Sequence, residues 1–105
     1  MRRLIAALAF VAGCTSVIHY PTEREVATAR QTDPAATVES LTHGRKRYVA
    51  KCAGCHYLRS PRDETPDEWP GVLEEMTAKA KCSVADRKAI TQYLLAVSGT
   101  PDAPR

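Results

Sequence analysis

The sequence predicts an all-α domain, and three observations carry that prediction. No segment alternates apolar and polar residues as a half-buried strand would. Three segments repeat apolar residues at helical spacing, and two of them open on a capping signal. The chain of 105 residues has room for one small domain, and the three segments place it at 39–98.

The first helix is expected from Glu39 to Lys51, with Leu41, Tyr48 and Cys52 near one face at spacings of seven and four. The second opens at "TPDEW". There Thr65 suits the N-cap, Pro66 the first helical position and Glu68 the reciprocal place in a capping box. Asp67 and Glu68 also suit the positive end of a helix dipole. Pro70 conflicts with this start, because a proline one turn inside a helix should kink or interrupt it. Beyond it Val72, Leu73, Met76 and Ala80 follow an apolar stripe. The third helix opens at Ser83 with Asp86 three residues on, and continues through Ile90, Tyr93, Leu94 and Val97. Ser98-Gly99 stops it, with Pro101 beyond, and 99–105 is expected as a frayed tail.

Ahead of the domain, "MRRLIAALAFVAGC" begins with Arg2 and Arg3, runs apolar from Leu4 to Val11 and ends in Ala12 and Gly13 before Cys14. That is the layout of an export signal, over residues 1–13. The apolar run is too short to span ~30 Å of hydrocarbon as a helix. "VAGC" resembles the lipobox of bacterial lipoproteins, which implies lipidation of Cys14 as the first residue of the mature chain. The alternative is an ordinary signal peptide that leaves Cys14 as an incidental thiol. Acyl chains contribute roughly 0.8 kcal/mol per buried CH₂, so several on one cysteine make a stable anchor. Thr15, rather than aspartate, follows the lipid site, and by the sorting rule of such lipoproteins this favours the outer membrane in a two-membrane cell.

Residues 14–38 read as a lipidated N-terminus and tether, since they carry Pro21 and Pro34 and no sustained apolar period. Only a short helix around Thr22 to Ala29 is compatible with them, and His19 is expected in solvent. The formal charge is +3, but without Arg2 and Arg3 thirteen basic residues face twelve acidic ones. Such a near-neutral chain gives no argument for a nucleic-acid partner.

The chemistry lies in "YVAKCAGCHYLRSP", where Cys52, Cys55 and His56 form Cys-x-x-Cys-His. By chance this pattern is roughly a one-in-a-thousand event in a chain this short. It has three readings: half a zinc site, a redox dithiol or a covalent haem attachment. Structural zinc wants two ligand pairs, and beyond the motif the folded unit offers only Cys82 and a preceding His43. A thioredoxin-like dithiol needs strands. Covalent haem explains more residues with one assumption: Cys52 and Cys55 form thioethers to the two vinyl groups and His56 ligates the iron. A bound porphyrin also supplies the staple that a domain of about sixty residues otherwise lacks.

The opposite face of the iron has one thioether candidate. Met76 is the single methionine of the mature chain and lies on the apolar stripe of the second helix. Core filling is the alternative for Met76, and His43 is the competing ligand, poorly placed just before the motif.

With these residues in view, the stretch from Leu41 to Ala96 resembles a small class I cytochrome c, a three-helix domain wrapped around one covalent haem c. "HGRKRYVAKCAGCH" resembles the family's N-terminal helix and "KAITQYLL" its last helix. The resemblance implies that Gly44 permits close helix approach and that Tyr48 meets Tyr93. "CHYLRSPRDETPDEWPGVLEEM" is similar to a subgroup of bacterial monohaem cytochromes. That implies a Pro61 carbonyl available to the His56 Nδ1–H and Trp69 near the haem edge, with plain core packing equally open for Trp69. Extracytoplasmic cytochromes of this kind acquire haem after export, which agrees with the N-terminal signal. Cys82 departs from the pattern and reads either as a buried thiol or as an intermolecular disulfide partner.

The function expected is that of a membrane-tethered, single-haem carrier of electrons between extracytoplasmic redox partners, anchored facing the periplasm, and not an enzyme. The rivals are a haem protein binding gas or peroxide at a labile sixth position, and a fixed relay subunit of a larger oxidoreductase complex. Basic residues Arg45, Lys46, Arg47, Lys51, Arg59 and Arg62 gather around the motif, and acidic ones from Asp63 to Glu75 lie toward Met76. A redox partner with a negative surface is therefore expected near Arg45, Lys46, Arg47 and Lys51, the alternative being an ordinary solvated mixture of charges.

Overall fold

The computed structural model describes residues 18–53 and 58–101. Among them are four α-helices and no strand: α1 (Glu23–Ala29), α2 (Val38–Cys52), α3 (Trp69–Lys79) and α4 (Val84–Ser98). A single 3-10 turn at Pro61–Asp63 stands between α2 and α3. The all-α class expected from the periodicity is the class observed. No described helix is long and apolar enough to cross a membrane.

The pairing of α2 with α4 is the centre of the fold. Leu41, Gly44, Tyr48 and Cys52 form the buried face of α2, at the three-, four- and four-residue steps that keep side chains on one side of a helix. They meet Ile90, Tyr93, Leu94 and Val97 of α4, all fully buried. Gly44 is required at the crossing. A Cβ there would lie 2.3 Å from the Ala89 carbonyl oxygen and 2.8 Å from the Tyr93 Cβ, closer than any real contact. The rings of Tyr48 and Tyr93 accordingly meet at 6.1 Å, tilted by 41°.

α3 begins later than its capping signal. The Thr65 N–H donates to the Glu68 carboxylate at 2.8 Å and the Glu68 N–H to the Thr65 hydroxyl at 3.2 Å, so the reciprocal cap forms. It closes a turn rather than the helix, which starts at Trp69. This removes the conflict at Pro70: the proline occupies the first turn of α3, where its missing N–H has no helical acceptor to lose. At the other end, the N–H groups of Lys81 and Cys82 bond the Ala78 and Thr77 carbonyls at 3.3 and 3.1 Å. That is a Schellman closure with a lysine, φ 55°, in the left-handed position usually given to glycine. α4 opens as expected, the Ser83 hydroxyl accepting from the Asp86 N–H at 3.0 Å. The Asp86 carboxylate turns away to accept from Arg47 of α2 at 2.8 and 3.1 Å.

The expectation of a tether over 14–38 is corrected for its described part, which is folded from Ile18 onward. Thr22 and Glu25 make a complete capping box for α1. Val26, Ala29, Ala36 and Leu41 then join Ala96 in a second buried cluster. Polar ties fix the same segment. The Tyr93 hydroxyl donates to the His19 carbonyl at 2.5 Å, and the Arg45 Nε donates to the Ile18 carbonyl at 3.0 Å. The Arg45 guanidinium also stacks 3.6 Å above the Tyr20 ring. His19, expected in solvent, is largely buried with its Nε2 3.1 Å from the Glu25 carboxylate. The short helix allowed around Thr22 to Ala29 is α1, but seven residues are too few to display a period, so nothing in the sequence signals that the segment packs.

The tail is corrected in part as well. Thr100 is buried, its hydroxyl bonded to Thr28 and to the Ala96 carbonyl, each at 2.7 Å. The Arg62 guanidinium donates to the Thr100 carbonyl, and Arg24 donates to that of Pro101 at 2.6 Å. The fold therefore runs to Pro101, and its two ends are joined.

Candidate functional site

One turn of α2 places Tyr48 and Cys52 on the same face, four residues apart, and both are buried. Opposite them α3 presents Trp69, Val72, Leu73 and Met76, the i, i+3, i+4, i+7 set of a single helical stripe. Leu58 and Arg59 close the rim where the chain comes back from the motif. These eight residues line one apolar cleft that encloses about 20 Å³, room for a water molecule or two.

Tyr48 organises its walls. Its ring meets Trp69 edge-on at 6.3 Å and 86°, and its hydroxyl donates to the Arg59 carbonyl at 2.6 Å. Burial pushes the phenol pKa well above its ordinary value, with neighbouring Cys52 and Tyr93 adding to the rise, so Tyr48 remains a neutral donor. The Trp69 indole N–H donates to the Pro61 carbonyl at 2.8 Å inside the protein. The carbonyl that the resemblance assigned to His56 thus already accepts one hydrogen bond, and it has a second lone pair. Arg59 is the single charged residue among the described lining residues, and its guanidinium is paired with Glu64.

Of the residues singled out in the sequence, Cys52 and Met76 are brought together at this cleft. Cys14, Cys55 and His56 lie outside the described residues. His43 is exposed on α2 and takes no part in the lining. Cys82, partly buried, packs against the same core from the start of α4.

Four of the basic residues around the motif are engaged within the fold: Arg45 with Ile18 and Tyr20, Arg47 with Asp86, Arg59 with Glu64, and Arg62 with Thr100. Lys46 remains exposed. Two lining residues, Leu58 and Arg59, were not anticipated. A lone leucine in the polar run "YLRSPRD" was the available signal for the first.

Chemically, the cleft offers two sulfur atoms in an apolar surround walled by aromatic rings, with no carboxylate or imidazole among its described residues. The described residues likewise hold no cluster of three His, Cys, Asp or Glu suited to a metal ion. An apolar lining of this kind, with its polar atoms bonded to backbone carbonyls, offers no described group for general acid–base work. A larger open groove of about 930 Å³ runs between α1 and α4, past Thr28, Asp33, Lys88 and Gln92, and contains none of the predicted site residues. No family model matches the chain, and neither does a curated protein or a solved structure.

Proposed function

We propose that the protein is a monohaem c-type cytochrome of class I type, carrying single electrons between redox partners outside the cytoplasm. Cys52 and Cys55 hold the haem through thioethers, His56 is the proximal iron ligand and Met76 the distal one. Acyl groups on Cys14 anchor the chain to the envelope membrane, the outer one where there are two, facing the periplasm. The observation that supports this reading best is the meeting of Cys52 and Met76 at one apolar cleft beside the Cys-x-x-Cys-His motif. Twenty-four residues separate them in the sequence, and both line the same cleft.

The residues present fit such a group by their chemistry. The haem supplies a one-electron iron couple, and a thioether ligand raises its potential relative to a second imidazole. The chain's own residues do the rest. Cys52 fixes one edge, Trp69, Val72 and Leu73 exclude water, and the neutral Tyr48 and Trp69 spend their polar atoms on the Arg59 and Pro61 carbonyls rather than on solvent. At about 20 Å³ the cleft is far smaller than a cofactor site of several hundred Å³, so this reading requires α3 to stand further from α2 in the loaded protein.

A pyridine haemochrome spectrum and an intact mass of the exported chain test the reading together. One haem per chain with two thioether additions is the expected result. A colourless chain weighing no more than its residues and acyl groups ends it. The weak red-edge band of sulfur-ligated ferric haem, present in the wild type and absent in Met76→Ala, assigns the distal ligand. Rapid carbon monoxide binding by the wild type would instead favour an open sixth position.

A further inference from the structure

The anchor reading has a geometric consequence once the fold is seen to begin at Ile18. Cys14 is only four residues before Ile18, and four residues extend at most about 14 Å. A twenty-five-residue flexible tether over 14–38 would instead have a root-mean-square reach of about 28 Å. The headgroup layer of one leaflet takes up about 5–8 Å of the shorter reach. What remains is about 6–9 Å, less than the 10–12 Å diameter of one helix, so the lipid holds the domain within a helix diameter of the headgroups.

The surface at that point suits the contact. Tyr20 is 57% exposed, although its neighbours Ile18 and Pro21 are buried. Arg45 is stacked on the Tyr20 ring, and Lys46 follows it, exposed, on α2. An amphipathic ring beside two cations matches the interfacial zone, where aromatic side chains sit at headgroup level and basic ones meet anionic lipid. Arg45 is also rigid, with its Nε held by the Ile18 carbonyl.

Resting on lipidation of Cys14, we propose that the face formed by Tyr20 and the Arg45–Lys46 step of α2 lies directly against the headgroups of the anchoring membrane. The basic cluster expected to meet a redox partner's negative surface is then, at its Arg45–Lys46 end, occupied by anionic lipid. Along α2, Tyr48 of the cleft stands one turn from Arg45 and Cys52 two turns, a rise of about 10 Å.

Spin labels test this on the full mature chain in vesicles of phosphatidylethanolamine and phosphatidylglycerol. Labels are placed at Tyr20→Cys or Lys46→Cys, and at Val84→Cys, 86% exposed at the start of α4, all with Cys82→Ser. Collision with a water-soluble nickel chelate should fall several-fold at positions 20 and 46 on vesicles relative to the same chain carrying Cys14→Ser. Position 84 serves as the bulk-water reference. Two independent label sites guard against a local loss of structure at either. Bulk-water accessibility at both 20 and 46, on chains whose mass shows the acyl groups, overturns the proposal and leaves the lipid anchor standing. A mass without acyl groups on Cys14 overturns the anchor itself, and the proposal with it.

Discussion

The indole N–H of Trp69 donates to the carbonyl of Pro61 at 2.8 Å, with both residues buried. This bond fixes the 3-10 turn after the motif to the first residue of α3, so the segment that follows the rim is tied to the α3 wall by one hydrogen bond. Trp69→Phe keeps most of the ring but leaves a buried carbonyl unbonded, a cost of about 1–3 kcal/mol. Urea unfolding should show the free energy of unfolding fall by that amount, with a lower midpoint, and an unchanged midpoint would mean that water replaces the indole.

The two helical glycines should respond in opposite directions. In Gly44→Ala the added methyl would meet the Ala89 carbonyl oxygen at 2.3 Å, forcing α2 from α4. Overpacking of this kind costs about 1–3 kcal/mol. Gly71, in the first turn of α3, has nothing within 4 Å of a built Cβ. Gly71→Ala should stabilise by about 0.5–1 kcal/mol through the lower entropy cost of ordering alanine. Thermal unfolding of the pair reads both signs in one experiment.

Lys81 sits at φ 55° in the Schellman closure of α3. A left-handed conformation costs a residue with a Cβ about 1–2 kcal/mol, and part of that returns as extra chain entropy when glycine replaces it. Lys81→Gly is therefore expected to raise stability by about 1 kcal/mol, measured by urea midpoint, with Lys81→Ala as a near-neutral control. Equal midpoints for the two variants would contradict the assignment.

Acid should loosen the fold through two carboxylates. The bidentate hydrogen bond from Arg47 holds Asp86 below its ordinary carboxylate pKa. At Glu25 burial acts upward, but the bonds from the Thr22 side chain and backbone and the contact with His19 outweigh it, and its pKa too is lowered. A carboxylate with a lowered folded pKa stabilises above its unfolded pKa, near 4, and that contribution disappears as pH falls through the lower folded value. Stability should therefore decline below about pH 4. The slope should be shallower in Asp86→Asn and in Glu25→Gln, each already less stable at neutral pH. Parallel slopes for wild type and variants would assign acid sensitivity to other groups.

How far these features could be read from the sequence differs from element to element. α2 and α4 were legible because their buried residues repeat over four turns, and the signal outweighs any local exception. Gly44 and the Tyr48–Tyr93 contact followed from a resemblance rather than from spacing, and the geometry at both agrees with it. The start of α3 was misplaced because a capping box marks a turn as readily as a helix, and at Thr65 it marks a turn. α1 could be read as a short helix over Thr22 to Ala29, but its docking was missed for a different reason. Its stability comes from partners such as Thr100 and Ala96 at the far end of the chain, and a sequence window contains no trace of them. At the site, Met76 was found by type and stripe. Leu58 and the Tyr48–Arg59 bond belong to a return of the chain that only tertiary structure reveals.

The joining of the two ends of the described fold also sets an order in time. His19 waits for Tyr93, Thr28 for Thr100 and Arg24 for Pro101, partners 72 to 77 residues later. At synthesis rates of 5–20 residues per second that is a delay of roughly 4–15 s. Until the last helix emerges, the front segment can close only upon α2, through Arg45 and Leu41.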